Sequence, residues 1–219
     1  MSIIILDFSS GNTCRNNKTI VKQMIDTIKA IDTGKHEIIL KAQLSLPDGI
    51  NLPLDHEIFD FMYRYGNNQG YKVTSSVADL ESLKFLFQYN IPFVKLPNDR
   101  KLDWLIGEIP RKIPIYISYG TFDEYDEYNR RKCEGITTLA CISKYPAEIQ
   151  DYANAFGLVN IKSERLLYSL KRISDHTTDF TLWHKYQPQI YECHFKLDDS
   201  TGPDSGPFAR TPTMLREIL

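Results

Sequence analysis

The stretch LKRISDHTTDFTLWHKYQPQIYECHFKLD, residues 170–198, decides the fold. It holds two short strand-like runs, Leu170–Ser174 and Ile190–Phe195, and each leads into a polar segment that carries a histidine, His176 or His194, among acids. Neutral imidazoles can hold a divalent ion, and Asp175, Glu192 and Asp198 stand where they could orient the rings or tune the site. On residue type alone, each histidine could equally well cap a strand or make an ordinary hydrogen bond. Only the residues from Thr177 to Gln189 separate the two segments, so any helix between them is reduced.

Working outward, the same alternation of β-branched runs with helical patterns recurs along the chain, the trace of β-α units and a parallel sheet. The other candidate strands are Ile3–Asp7, Glu37–Ala42, Tyr71–Ser75, Phe93–Leu96, Ile113–Ser118 and Gly135–Ile142. With the first pair they fit a compact (β/α)8 TIM barrel, a single domain over residues 1–219. Between strands, Lys18–Ala30 sets Ile20, Val21, Met24, Ile25 and Ile28 at helical spacing, and Val77–Gln88 does so with Leu80, Leu83 and Phe87. These apolar residues read as core. The segment after Lys41 looks short. The loop DDSTGPDSGP, residues 198–207, reads as a surface turn, and no repeat or linker divides the chain.

Composition excludes more than it identifies. The 26 Lys and Arg against 28 Asp and Glu give no electrostatic case for nucleic acid or an anionic membrane. Arg130, Arg131 and Lys132 read as a solvated helix end. Cys14, Cys133, Cys141 and Cys193 show no C-x-x-C spacing, so reduced thiols in a cytoplasm are the simpler reading. The start MSIIILDFSS is too short for a signal segment, and no run approaches the roughly 20 apolar residues of a membrane helix. The expected protein is soluble and cytoplasmic. The 13 Tyr and 11 Phe suit either a subunit interface or a small barrel filled with large side chains.

In a parallel barrel, functional residues gather at the C-terminal strand ends. Asp7, Lys41, Ser75, Lys95, Ser118, Ser143, Ser174, His176 and His194 lie at or just after such ends and are expected to face one cavity. Ammonium and hydroxyl donors converging there suit a phosphorylated, carboxylated small molecule such as phosphoenolpyruvate.

SDHT at 174–177, the E-x-HF-x-LD run at 192–198, GPD at 202–204 and the following TPTMLREIL together resemble the end of the catalytic barrel of the sialic acid synthase (N-acetylneuraminate synthase) family. The likeness continues upstream in order. SSVADLESLKFLFQYNIPFVKLPND (75–99) is similar to the family's helix and lysine-ended strand, YISYGTFDEYDEY (116–128) to I-S-T-G-M-A-T-x-E-E, and CISKYP (141–146) to C-T-S-x-Y-P. IIILDFSSGN (3–12) falls where the family has A-E-I-G-x-N-H-x-G, and IILKAQ (38–43) where it has V-K-F-Q.

This resemblance implies condensation of phosphoenolpyruvate with an N-acylated aldose such as N-acetylmannosamine, giving a nine-carbon 2-keto acid and phosphate. A divalent cofactor, Mn2+ or Mg2+, would be held by His176 and His194. Catalytic roles fall to Asp7, His176 and His194. Lys41, Lys95, Ser118, Ser143 and Ser174 are the implied phosphate and carboxylate contacts, Tyr145 walls the pocket, Asp204 faces the sugar and Asn154 is a further polar contact.

The chain also departs from that pattern. Asp7 replaces a glutamate, shortening the arm, and a displacement of about 1 Å can cost on the order of a hundredfold in rate. GNTCRNN replaces the first-loop Asn and His, Ile113 with Lys112 stands where a lysine is expected, and Tyr119 replaces a threonine. With Leu219 as the last residue, the family's antifreeze-like capping domain is expected to be absent. Partners are therefore expected to be small-molecule substrates, with a homo-oligomer or a separate capping chain completing the site. An impaired barrel serving as a binding or structural component of a larger assembly is the alternative.

Overall fold

A computed structural model describes residues 1–47, 49, 51–130, 135–156 and 170–219. Eight parallel strands close into a barrel, each beside its sequence neighbours and β1 beside β8. They are β1 (Ile3–Ser9), β2 (Glu37–Leu44), β3 (Lys72–Val77), β4 (Val94–Leu96), β5 (Ile115–Tyr119), β6 (Ile136–Cys141), β7 (Arg172–Asp175) and β8 (Ile190–His194). Every expected strand is present, with ends shifted by a few residues. Arg131, Lys132 and Cys133 lie outside the described residues.

The period-two pleat divides each strand between two cores. One set points inward: Ile5, Ile39, Phe93, Leu139 and Ile190 form a small plug with Ile3 and Tyr116, and the Phe93 and Tyr116 rings stack at 3.9 Å. The other set, among them Ile4, Leu6, Leu40, Val73, Val94 and Ile117, faces the helices and joins the larger core. A plug at one end leaves the C-terminal strand ends to surround a polar mouth.

Local chemistry sets the helices. In Lys18–Ile31 the Asn17 side chain caps Thr19 and Ile20 N–H groups, and Val21, Met24, Ile25, Ile28 and Ile31 form the buried stripe. The expected helix at Val77–Gln88 is shorter, Leu80–Leu86. Val77 belongs to β3, and Asp79 fixes the start by accepting from Ser82 N–H. The segment after Lys41 is not short: helix His56–Asn68 follows β2. Its stripe of Ile58, Phe59 and Met62 ends on Gly66, where a Cβ would stand 2.7 Å from Val73. That glycine hides the helical pattern in the sequence while permitting close helix-strand contact. The expected reduced helix between the last two strands is Thr181–Tyr186. No described helix is long and apolar enough to cross a membrane.

Arg210 latches the end of the barrel. Its backbone N–H donates to His194 O at 2.7 Å and its carbonyl accepts from Lys196 N–H at 3.0 Å, extending β8. Its fully buried guanidinium reaches the loop after β7, donating to Asp175 Oδ2 at 3.1 Å, Thr177 O and Asp179 O at 2.5 Å each, and Phe208 O at 2.9 Å. Removing one partner of a buried ion pair strands the other charge. Arg210→Met is therefore expected to lower the unfolding free energy by about 3–5 kcal/mol. Urea denaturation measures it, and a loss below about 1 kcal/mol would make the latch dispensable.

Candidate active site

The inward positions above the plug build a cavity of about 260 Å³ at the C-terminal strand ends. Strand register decides which chemistries touch. Asp7 on β1 lies level with Lys41 on β2 and His194 on β8, while Glu192 on β8 lies level with Ser174 on β7. Ser76 on β3 lies level with Lys95 on β4.

Asp7 is the hub. Its Oδ2 accepts from Lys41 Nζ at 2.6 Å and Gln43 Nε2 at 2.8 Å, and its Oδ1 accepts from Ser9 N–H at 2.8 Å. Burial pushes its carboxyl pKa up, but Lys41, His194 and the hydrogen bonds from Lys41 and Gln43 outweigh burial and hold it below the ordinary value. Burial likewise pulls Lys41 down, yet Asp7 and Glu192 raise it above an ordinary lysine. Both groups are charged.

Lys95 differs. It donates to Ser118 Oγ at 2.7 Å and Leu96 O at 2.9 Å, with Glu192 Oε1 at 3.9 Å. Burial dominates there, and its pKa is lowered despite Glu192. Glu192 sits between the ammonium groups, with Lys41 at 3.8 Å, and its Oε1 accepts from Ser174 Oγ at 2.9 Å. Burial pushes the Glu192 carboxyl up, but the two lysines draw it below the ordinary value. Its Oε2 is buried without a hydrogen-bond partner.

The imidazoles lie 5.2 Å apart between ring centres. His176 Nδ1 is 2.7 Å from Ile142 O, so that nitrogen carries hydrogen and donates to the carbonyl. His194 Nδ1 is 3.0 Å from Ser9 Oγ. Burial drives the His194 pKa down to about 4, keeping the ring neutral near pH 7. With each Nδ1 tied back, Nε2 of each ring is the nitrogen left for a ligand. Among the described residues no group of three or more His, Cys, Asp or Glu is gathered to hold a metal ion. Two imidazole nitrogens could fill only part of a divalent ion's coordination shell, and Mg2+ prefers oxygen ligands, so an ion held there would need further ligands from outside the pair.

Asp7, Lys41, Lys95, Ser118, Ser143, Tyr145, Ser174, His176 and His194 all line this cavity. Tyr145 is 53% exposed at the rim, its ring 4.3 Å from that of His176 and 5.0 Å from that of Phe208. Two other expectations are corrected, those for Ser75 and Asn154. Ser75 is fully buried and donates to Ser76 O, and Ser76 is the β3 serine in the wall. Asp204 lies beside the mouth rather than in its lining, accepting from Ser10 Oγ at 3.0 Å. Asn154 is exposed and bonds Gln150 on its own helix. Lys112 and Ile113 precede β5, at the end of the barrel opposite the mouth. Tyr119 is core, against Tyr125 and Phe156.

Sequence reasoning left Gln43, Asn98 and Cys141 out of the wall, and gave Ser9 no role. Counting two residues on from Lys41 along the pleat would have found Gln43. Asn98, which donates to Ser143 Oγ at 3.1 Å, lies in the loop just after β4, beyond the reach of the strand's period of two.

The charge arrangement makes Lys41 a structural as well as a chemical residue. Lys41→Met is expected to destabilise by about 3–5 kcal/mol, because Asp7 loses its ammonium partner in a buried site. Adding Asp7→Asn should recover more than half of that loss in urea denaturation, and additive losses would contradict direct coupling.

Comparisons with known proteins agree with this architecture. Crystal structures similar to the chain include N-acetylneuraminic acid (sialic acid) synthetase from Leptospira borgpetersenii serovar Hardjo-bovis, with a TM-score of 0.74 at 16% identity, covering 98% of this chain and 80% of that one. Spore coat polysaccharide biosynthesis protein E from Chromobacterium violaceum gives 0.72 at 15% identity over 99% and 72%. A truncated 3-deoxy-D-arabino-heptulosonate 7-phosphate synthase from Thermotoga maritima gives 0.64 at 7% identity over 99% and 83%. These likenesses establish a shared fold. Comparison with curated proteins finds no match. The model of the NeuB family matches residues 18–219, and the chain belongs to that family.

Proposed function

We propose that the chain is a synthase-type transferase that condenses phosphoenolpyruvate with an N-acylated aldose, giving a sialic-acid-type 2-keto sugar acid and inorganic phosphate. The observation that carries this reading is the convergence of Lys41, Lys95, Ser118, Ser174, His176 and His194 on one cavity of a NeuB-family barrel.

Lys95 with Ser118, and Ser143 with Asn98, supply donors to phosphate and carboxylate oxygens. Lys41, shared between Asp7 and Glu192, adds a positive charge that those carboxylates hold in place. A carbon-carbon bond forms between the enol methylene and the aldehyde carbon while the aldehyde oxygen takes up a proton to become a hydroxyl; water adds to the former enol carbon with loss of one proton, and the bond from that carbon to the phosphate oxygen then breaks as the new hydroxyl loses its proton to leave the keto group. Asp7, ionised and facing the mouth, is the residue placed to take a proton from that water. The unpartnered Glu192 Oε2 can accept a substrate hydroxyl. When bound by His176 and His194, Mn2+ or Mg2+ would supply Lewis acidity toward the aldehyde oxygen.

The apolar rim of the mouth suits a second copy or a separate capping chain. Tyr145 in the cavity lining is 53% exposed, and Leu46 and Leu52, adjacent in sequence to the lining residues Ser45 and Asn51, are 50% and 46% exposed.

Calorimetric titration of manganese with phosphoenolpyruvate present is expected to show one-to-one binding, with phosphate release dependent on an added N-acylated aldose. Binding without turnover across an aldose panel would favour the alternative of a binding component. His176→Ala and His194→Ala should each remove measurable manganese binding while keeping the circular dichroism spectrum. Asp7→Asn should lower kcat by about 10²–10⁴-fold. A large fall in melting temperature without specific kinetic loss would refute its proton-handling role.

A further inference from the structure

The end of β1 is irregular in a way that no role assigned so far explains. Its register with β2 shifts between Asp7 and Ser9, and Ser9 has a φ of 66°. A serine in the left-handed region is uncommon, and it persists only where its surroundings over-determine it. Ser9 is 1% exposed, its N–H donates to Asp7 Oδ1 at 2.8 Å, and its hydroxyl lies 3.0 Å from His194 Nδ1. The A-E-I-G pattern that resembles this segment has glycine two residues after its acid, where Ser9 stands here. Glycine would take this φ without strain but offers no hydroxyl.

We propose that Ser9 is a positioning residue for His194: its Oγ accepts the Nδ1–H of the ring and leaves Nε2 as the lone-pair nitrogen toward the cavity. The alternative placement of the hydrogen, on Nε2, finds no acceptor within hydrogen-bond distance among the described residues. Asp7 Oδ2 is 3.9 Å away and already accepts from Lys41 and Gln43, with the lysine's positive charge beside it. The other ring neighbours of His194 are His176 and the aromatic rings of Tyr145 and Phe208. Ser9 thereby gives His194 the arrangement that the Ile142 carbonyl gives His176. Both rings then present Nε2, one set by a carbonyl and the other by a serine whose backbone a bulge has turned.

The use of this setting rests on the synthase reading; the hydrogen bond itself can be tested without it. Metal-free chain labelled with 15N-histidine reports the tautomer of each ring, and His194→Gln identifies the His194 signals. The wild type is expected to show pyrrole-type Nδ1 and pyridine-type Nε2 at His194. Ser9→Gly and Ser9→Ala should both give a tautomer mixture. Manganese affinity should fall about 10–100-fold in both, the range for loss of a residue that orients a metal ligand. The melting temperature of Ser9→Gly should equal or exceed that of the wild type, because glycine relieves the left-handed conformation. Hydrogen on Nε2 in the wild type, or a tautomer unchanged in Ser9→Gly, would overturn the assignment. The expected tautomer shift in a chain that binds no manganese would sustain the role of Ser9 and count against the metal-assisted function.

Discussion

The ion pair between Lys41 and Asp7, at 2.6 Å with both side chains at most 3% exposed, is the contact on which the site depends. Two charges removed from water require compensation, and here it extends beyond the pair: Asp7 accepts from Gln43 and the Ser9 backbone, and Lys41 lies within 4 Å of Glu192. Glu192 in turn reaches Lys95 and Ser174. Two carboxylates and two amines thus hold one another at the floor of the mouth. The donors in this cavity carry charges that are already balanced, so an anionic ligand there would be selected by hydrogen-bond geometry as much as by net charge.

Arg210 serves the same site from outside the cavity. It joins the ends of β7 and β8, the strands that lead to His176 and His194, through one backbone pairing and one buried guanidinium. The distance between the two imidazoles is therefore held by a residue that touches neither ring. Ser9 and Ile142 then set which nitrogen of each ring is free. Placement of the strand ends and orientation of the rings are separate tasks, performed by separate residues.

Much of this was legible in the sequence. Eight β-branched runs gave the barrel, because strand propensity and spacing are local properties. Nine of the twelve expected site residues line one cavity because they sit at or just after C-terminal strand ends, which the motif positions marked. The misses have physical causes. Helix His56–Asn68 was hidden by Gly66 in its apolar stripe, and Ser75 and Ser76 were exchanged by the period of two.

The sequence by itself determined the strand order of a parallel barrel, the inventory of polar residues at its mouth and the family likeness, since all three are written in local pattern and collinear motifs. Only the tertiary structure decided which of those residues touch. The level at which β1 meets β2 and β8 places Asp7 between Lys41 and His194, and the bulge at Ser9 turns a hydroxyl toward an imidazole 185 positions away. Register and bulges arise from closing the sheet on itself, a constraint shared by all eight strands and carried by no single segment.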